Sequence, residues 1–151
     1  MRSASSACCL VLLLACAITS ADGAAAAEAA DGDAAGQSAN LALVATASTS
    51  FVSGHETIAA LNDGYDPRHS DDKRHGAYGN WPRSGTQWVQ YEWTQPIATR
   101  RIEVYWFDDS RGVRLPAACR LSYWDGERFV PVPDLKGPAL EKNRYNVATF
   151  G

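Results

Sequence analysis

The chain has 151 residues, a formal net charge of −3 and four cysteines, which leaves room for one domain of ordinary size. The chain has 14 basic and 17 acidic residues, and residues 1–39 contain one of the basic and four of the acidic residues. Residues 40–151 therefore carry 13 basic and 13 acidic residues. This balance argues against a strongly basic surface, and so against a nucleic-acid-binding protein or one that binds an anionic membrane by charge.

The N-terminus has the pattern of a secretory leader. Arg2 precedes the apolar run Cys8–Ile18, which is too short to span a bilayer comfortably, and small residues follow it. We therefore predict a signal peptide over residues 1–21 and a secreted or periplasmic protein. Leu13–Cys16 also resembles a bacterial lipoprotein box, so membrane attachment through a lipid anchor at Cys16 stays open as an alternative.

The segment after the leader has no large apolar side chain. Residues 22–39 consist of Ala, Gly, Asp, Glu, Gln and Ser, and they bury too little surface to offset the entropy of ordering. A flexible, disordered spacer is predicted there, with the domain proper at residues 40–151. Cys119 is the one cysteine of that domain, and its alternation with Leu121 and Tyr123 predicts a buried structural thiol.

The domain has the patterning of an all-β protein. A helical turn is predicted at Ile58–Leu61, and Asp125-Gly126 predicts a two-residue hairpin turn. All five tryptophans lie within residues 81–124, which indicates one aromatic core between packed sheets. The predicted strands, most of them alternating with a period of two, are Thr46–Val52, Gln87–Trp93, Ile102–Phe107, Cys119–Trp124, Phe129–Val132 and Tyr145–Phe150.

Two further features concern the loops and the end of the pattern. The long loop from Tyr65 to Gly85 is dense in Gly, Asp, Arg, His and Pro, and loops of this length are usually functional or tightly pinned. Six strands are fewer than the eight or so of a closed jelly roll, and the pattern stops within an apolar strand at Phe150-Gly151. We therefore expect a β-sandwich that is incomplete at its C-terminal side.

Seven short motifs, in order, carry a resemblance to a known family. They are Asn40–Ala42, Ala47–Ser50, Leu61–Gly64, Asn80–Pro82, Thr86–Tyr91, Pro96-Ile97 with Ile102–Val104, and Tyr123–Gly126 with Phe129. Together they resemble the discoidin domain, which is the coagulation-factor type C or galactose-binding-like module. Arg111–Pro116 and Arg144–Asn146 carry a narrower likeness, to the discoidin modules of secreted bacterial glycoside hydrolases, including those that act on arabinose-containing glycans.

The resemblance implies a fold, a kind of function and a metal. It implies a jelly-roll β-sandwich that binds a ligand, often a sugar, through loops at one end, without catalysis. It also implies a structural calcium ion at the Asp-Gly turn, with a carboxylate from Asp63 and carbonyl oxygens from Ala60 and Tyr65. The alternative is that Asp63-Gly64 simply makes a turn. The family's tryptophan at position 81 packs structurally, so we expect Trp81 in the core.

Sugar sites combine an aromatic face with planar side chains that hydrogen-bond to pairs of hydroxyl groups. The best-placed set of sugar-binding candidates lies in the loop between the predicted strands Ile102–Phe107 and Cys119–Trp124. It comprises Asp108, Asp109, Arg111 and Arg114. Secondary candidates on the earlier loops are His55, Glu56, His75, Tyr78 and Asn80. The alternative for the first set is a solvated turn whose ion pairs contribute little. Loops 53–57, 75–84 and 107–114 are expected to form the binding end.

Catalytic signatures are missing from the sequence. The three histidines have no zinc-site spacing and no paired cysteine, and there is no Gly-x-Ser-x-Gly motif. We therefore predict a non-catalytic carbohydrate-binding module that directs a linked glycoside hydrolase to arabinose- or galactose-containing glycans. Two alternatives remain, a module for adhesion or protein interaction and the N-terminal part of a glycoside hydrolase whose catalytic domain lies downstream.

Overall fold

The computed structural model describes residues 8–15, 39–137 and 139–151, with the backbone alone described for residues 8–15. Residues 1–7 and 16–21 of the predicted signal peptide are outside the described residues, and so are residues 22–38 of the predicted spacer. Within the described part, residues in strands far outnumber residues in helices, as expected for a mostly β chain. The strands are β1 (Cys8–Ala15), β2 (Thr46–Thr49), β3 (Gly85–Glu92), β4 (Arg101–Tyr105), β5 (Cys119–Trp124), β6 (Phe129–Pro131) and β7 (Tyr145–Thr149).

The strands form two sheets. The larger has the order β2-β3-β1-β5-β6, and the smaller pairs β4 with β7. All pairs are antiparallel except those of β1, which runs parallel to both β3 and β5. The six strands predicted from alternation are thus all present as β2–β7, and the apolar N-terminal run adds a seventh.

The core lies between the two sheets, on β3 and β5. Val89 is fully buried and Leu121 is 4% exposed, and the β4 side chains Ile102 and Val104 pack against this pair. The period of two predicted these faces correctly, because alternate residues of a strand point to opposite sides of a sheet. Gln87 is also buried, and its side-chain amide has hydrogen-bond partners for both of its polar atoms. Its Oε1 accepts from the Ser50 hydroxyl, and its Nε2 donates to the carbonyl oxygens of Ser84 and Thr86.

Two 3₁₀ helices flank β2 in the sequence. They span Leu41–Val44 and Ile58–Leu61, and the second confirms the predicted helical turn. The side chains of Asn40 and Thr57 cap them by accepting backbone N–H groups. Asn62 links the two helices, because its Nδ2 donates to Ala42 O at 2.8 Å and to Ala45 O at 2.9 Å.

The turn between β5 and β6 spans Asp125–Arg128 and is closed by the backbone hydrogen bond from Asp125 N to Arg128 O at 3.0 Å. Its two central residues are therefore Gly126 and Glu127, one position later than the predicted Asp125-Gly126. Asp125 Oδ1 stabilises this turn by accepting the backbone N–H groups of both Glu127 and Arg128, each at 2.9 Å. Gly126 adopts a φ of 109° within it, a conformation that suits glycine.

The aromatic core was predicted correctly in part. Trp106 is 6% exposed, while Trp88 and Trp93 are half-buried, and the indole N–H of Trp93 donates to Leu41 O at 2.8 Å. Cys119 was predicted to be buried but is half-buried, because it opens β5.

Candidate functional site

Three loops meet at one end of the described fold. Backbone hydrogen bonds join the first two, since Ser53 N donates to Gly79 O at 2.8 Å and Thr57 N donates to Ala77 O at 2.9 Å. Glu56 and Val113 both lie close to Gly79, because a Cβ added there would lie 3.3 Å from Glu56 Cγ and 3.0 Å from Val113 Cγ2. The structure therefore brings together the three segments that the sequence analysis grouped, residues 53–57, 75–84 and 107–114.

Trp81 lies at the surface of this end. Its side chain is 50% exposed, whereas the sequence analysis placed it in the core. The physical reason is the turn in which Arg83 N donates to Asn80 O at 2.8 Å, because this turn buries Asn80 and projects the next residue outwards. A Cβ added at Gly112 would lie 3.7 Å from Trp81 Cγ and Cδ1, so the ring rests against a residue with no side chain.

The two aspartates of the best-placed set support their own loop. Asp108 Oδ1 accepts from Ser110 N at 2.7 Å, and its Oδ2 accepts from Leu115 N at 3.2 Å. Asp109 Oδ1 accepts from Arg111 N at 2.9 Å and from Val113 N at 3.0 Å. Burial acts to raise the pKa of Asp109, but these backbone N–H groups and Lys73 outweigh it and hold the pKa below the ordinary value. Both carboxylates therefore order the loop.

The two arginines of that set are exposed. Among the described residues, neither Arg111 nor Arg114 forms an ion pair. Arg111 directly precedes Gly112, the glycine that lies against the Trp81 ring, and it also lines the polar depression described below. A guanidinium fork and an aromatic face are the two kinds of group that a sugar site combines.

A polar depression of about 520 Å³ opens beside this loop. Ser70 and Asn143 hold it together, because Asn143 Oδ1 accepts from both the backbone N–H and the hydroxyl of Ser70, each at 2.7 Å. Ser70 Oγ also accepts from Asp108 N at 2.8 Å. The depression is lined by His69, Ser70, Asp71, Asp108, Asp109, Ser110, Arg111, Lys142 and Asn143.

Residues 69–71, 142 and 143 were missed by the sequence analysis. One local signal was available for the last of these, because Asn143 has a φ of 62° and asparagine tolerates that left-handed conformation better than most residues. Ser110, which also lines the depression and accepts from Lys142 Nζ at 3.2 Å, has a φ of 60°. Backbone held in this sparsely populated region often occurs at binding sites.

The secondary candidates divide between the surface and the interior. His55 is exposed and Glu56 is half-buried at the meeting point of the loops, where burial raises the pKa of Glu56. Asn80 is 7% exposed, and the Tyr78 hydroxyl points inwards, 2.6 Å from Thr49 Oγ1. Tyr78 and Asn80 are therefore placed to support the loops, and not to reach a ligand at the surface. His75 stacks on Tyr65 at 3.7 Å between ring centroids.

The long loop is pinned by Asp72. Its carboxylate is 5% exposed and accepts from Arg74 Nε at 2.8 Å and from the Tyr65 hydroxyl at 2.8 Å. These hydrogen bonds, led by those from Arg74, hold the pKa of Asp72 well below its ordinary value. The loop from Tyr65 to Gly85 is thus ordered by a partly buried ion pair that the sequence analysis did not identify.

The expected calcium ligands form a turn. Asp63 Oδ1 accepts from Tyr65 N at 2.8 Å, and Gly64 follows with a φ of 77°. Within the described residues, no group of three or more His, Cys, Asp and Glu side chains is placed to hold a metal ion. Asp63 supplies one carboxylate to the expected set with Ala60 and Tyr65, which is a small complement of charge for Ca²⁺.

A larger cavity of about 680 Å³ extends from the core. Its walls include Val89, Leu121 and Ile102, together with the aromatic residues Tyr91 and Trp106. Burial raises the pKa of Tyr91 to about 12, and its hydroxyl donates to Leu61 O at 2.8 Å. The cavity is also lined by loop residues from the candidate set, namely His75, Tyr78, Asn80 and Arg114.

Comparisons of the chain with protein-family models, with curated proteins and with solved structures give no match. The described part of the chain also has no helix with the length and apolar character needed to cross a membrane.

Proposed function

We propose that the chain is a non-catalytic carbohydrate-binding module with a galactose-binding-like jelly-roll fold. Its ligand is a glycan that contains arabinose or galactose, and its binding end is formed by loops 53–57, 75–84 and 107–114. The module is exported with its N-terminal leader, or anchored through Cys16, and it serves a linked glycoside hydrolase. The resemblance of seven ordered motifs motivates this proposal.

The observation that carries the proposal is the exposure of Trp81 where its loop meets the loop of residues 107–114 at Gly112. Burial of a tryptophan is strongly favourable, so a ring that stays 50% exposed is available for contact with a ligand. The C–H face of a pyranose or furanose ring packs on such a surface. Arg111, next to Gly112, offers donors to a pair of hydroxyl groups at the edge of the same ring.

Each named residue has its own role in this binding end. Arg111 and Arg114 donate to hydroxyl groups, and His55 and Glu56 border the platform from the first loop. Asp108 and Asp109 hold the arginines in place through the backbone N–H groups that they accept. A calcium ion at Asp63 stays a prediction of the resemblance, and no part of the binding mechanism depends on it.

The module acts by raising a local concentration. Reversible adsorption to a polymer keeps a linked catalytic domain near its substrate, and the gain depends on the linker that joins them. The balanced charge of residues 40–151 suits a neutral polysaccharide, because binding does not then require a strong field of one sign.

Affinity gels that contain arabinan, galactan or no polysaccharide test the proposal with the full chain. We expect retardation by at least one of the two polysaccharides, and we expect Trp81→Ala and Arg111→Ala each to weaken it by about tenfold, or about 1.4 kcal/mol. Arg128→Ala is the matched control, because Arg128 is an exposed arginine in the β5–β6 turn, and it should bind normally. Binding that is unaffected by both Trp81→Ala and Arg111→Ala would refute this site.

If the folded chain is retarded by neither polysaccharide, the sugar proposal fails. An interaction with a protein partner through the same loops then becomes the leading explanation for the exposed Trp81 ring.

A further inference from the structure

The apolar N-terminal segment holds the larger sheet together. β1 pairs with β3 over seven residues, from Cys8 opposite Gly85 to Leu14 opposite Tyr91, and with β5 over six, from Leu10 opposite Cys119 to Ala15 opposite Trp124. Among the strands of the described residues, no other hydrogen-bonds to both halves of this sheet. Without β1, the described sheet would separate into the pairs β2–β3 and β5–β6.

Two separate strand pairs are poor structures by themselves. A two-stranded hairpin is marginally stable in water, and the edges of β3 and β5 that face β1 would expose rows of unpaired N–H and C=O groups. The two core residues, Val89 and Leu121, are both in register with Leu12 of β1. The place of β1 is therefore a gap one strand wide that opens directly beside the core.

The same residues suit two incompatible roles. A run of consecutive apolar residues is the hydrophobic region of a secretory leader, and it is also the pattern of a parallel strand that is buried on both faces. Cys8–Ala15 meets both descriptions. A leader has to leave the fold in order to be threaded through a membrane and cleaved, whereas β1 is paired on both sides.

We propose that the gap between β3 and β5 is a strand-acceptor slot. Cys8–Ala15 occupies it in the unprocessed chain, and an extended apolar segment supplied in trans occupies it once that segment has been removed. The occupant pairs with both β3 and β5, so main-chain hydrogen bonds provide the affinity, as in strand addition to a sheet edge. Removal of the leader thereby creates the docking site, and folding before export conceals the leader.

The register of β1 can be tested by cross-linking in the full chain. Neighbouring strands lie about 4.8 Å apart, which is within the Cα separation that a disulfide bond bridges. With Cys8, Cys9 and Cys16 replaced by Ser, Leu10→Cys should form a disulfide with Cys119 under mild oxidation. Leu13→Cys is the matched control, because Leu13 is in register with Ser122, three residues further along. Cross-linking of neither variant, or of both equally, would overturn the proposal.

The acceptor role is tested by opening the slot. A site for a specific protease is placed within residues 22–38 of the full chain, and the chain is cleaved after folding. The probe is a fluorescent peptide with the sequence of residues 8–15, its cysteines replaced by serine and its ends extended by lysine. We expect the peptide to exchange into the cleaved chain and not into the intact chain, and we expect a peptide with Leu12→Pro to bind neither.

Equal binding of the peptide to intact and cleaved chains would overturn the acceptor role, as would binding to neither. A cleaved chain that unfolds as its own segment departs, and that the added peptide does not refold, would also overturn the acceptor role, even where the cross-link to Cys119 forms. These outcomes do not involve Trp81 or glycan binding, so the slot and the proposed function stand or fall separately.

Discussion

The side chain of Val113 touches the backbone at Gly79. A Cβ atom added at residue 79 would lie 3.0 Å from Val113 Cγ2 and 3.3 Å from Glu56 Cγ, which is closer than side chains normally approach. This contact joins the loop that carries Arg111 to the loop that carries Trp81. The aromatic and cationic parts of the proposed binding end are therefore coupled through a position where only hydrogen fits without displacing a neighbour.

We expect Gly79→Ala to lower the free energy of unfolding by roughly 1–3 kcal/mol, the usual cost of forcing an extra methyl group into a packed contact. Urea denaturation measures the change. Gly54→Ala is the matched control, since nothing lies within 4 Å of a Cβ at residue 54, and it should leave stability nearly unaltered. Equal effects of the two substitutions would show that the three loops do not meet at residue 79.

The second prediction concerns the loop that presents Arg111. Asp108→Ala removes the acceptor of the exposed Ser110 N–H and of the partly buried Leu115 N–H, and the loss of a partner for a buried donor costs about 1–3 kcal/mol. We expect both lower stability and weaker glycan binding, measured by urea denaturation and affinity gel. Asp71→Ala should change stability little, because Asp71 lines the same depression as an exposed residue. An equally stable Asp108→Ala variant would contradict the role given to this carboxylate.

The third prediction is a pH dependence that arises from Asp72. Its pKa in the folded chain is held far below the ordinary 3.8, chiefly by the hydrogen bonds from Arg74. A depressed pKa contributes stability that is fully present above the unfolded value and is lost as the pH falls towards the folded value. We expect Asp72→Asn to destabilise the chain most at neutral pH and progressively less below about pH 3.8.

Urea denaturation of the Asp72→Asn variant and the unmodified chain between pH 7 and pH 3 gives this comparison. Asp71→Asn, which replaces the neighbouring exposed carboxylate, serves as the control and should show no such trend. A stability difference for Asp72→Asn that stays constant with pH would contradict the ion pair with Arg74.

Glu56 provides a prediction of the opposite sign. Burial raises the pKa of Glu56 above its ordinary value of 4.5, so its ionised form is disfavoured in the folded chain. The charge therefore costs stability at neutral pH, and that cost disappears as the pH falls through the folded pKa. We expect Glu56→Gln to raise the urea midpoint at pH 7 and to have no effect near pH 4. A Gln variant that is less stable at pH 7 would indicate that a favourable ion pair dominates at this position.

The strand pattern was predictable because it is local. The alternation of Val89 and Tyr91 in β3, and of Ile102 and Val104 in β4, records which side of each sheet is buried. The chemistry of the 107–114 loop was also visible, as a cluster of Asp and Arg between two strands. What the local pattern did not show is that the carboxylates of Asp108 and Asp109 are occupied by backbone N–H groups.

The exposure of Trp81 could not be read from its residue type. A tryptophan in a β-rich domain is normally buried, and it is the turn closed by Asn80 and Arg83 that decides otherwise here. The N-terminal run presents the same difficulty, since one apolar composition serves both a leader and a central strand. Only its position between β3 and β5 distinguishes these roles in the folded chain.

The sequence by itself therefore determined six strands, a helical turn, the buried faces of the sheets and the loops that hold polar groups, because periodicity acts over a few residues. The tertiary structure decided which of these groups meet. Asp108 reaches Ser70 across 38 residues, and Ser70 reaches Asn143 across 73. Contacts of that range depend on how the two sheets pack and how the strands are ordered, which no local pattern of side chains records.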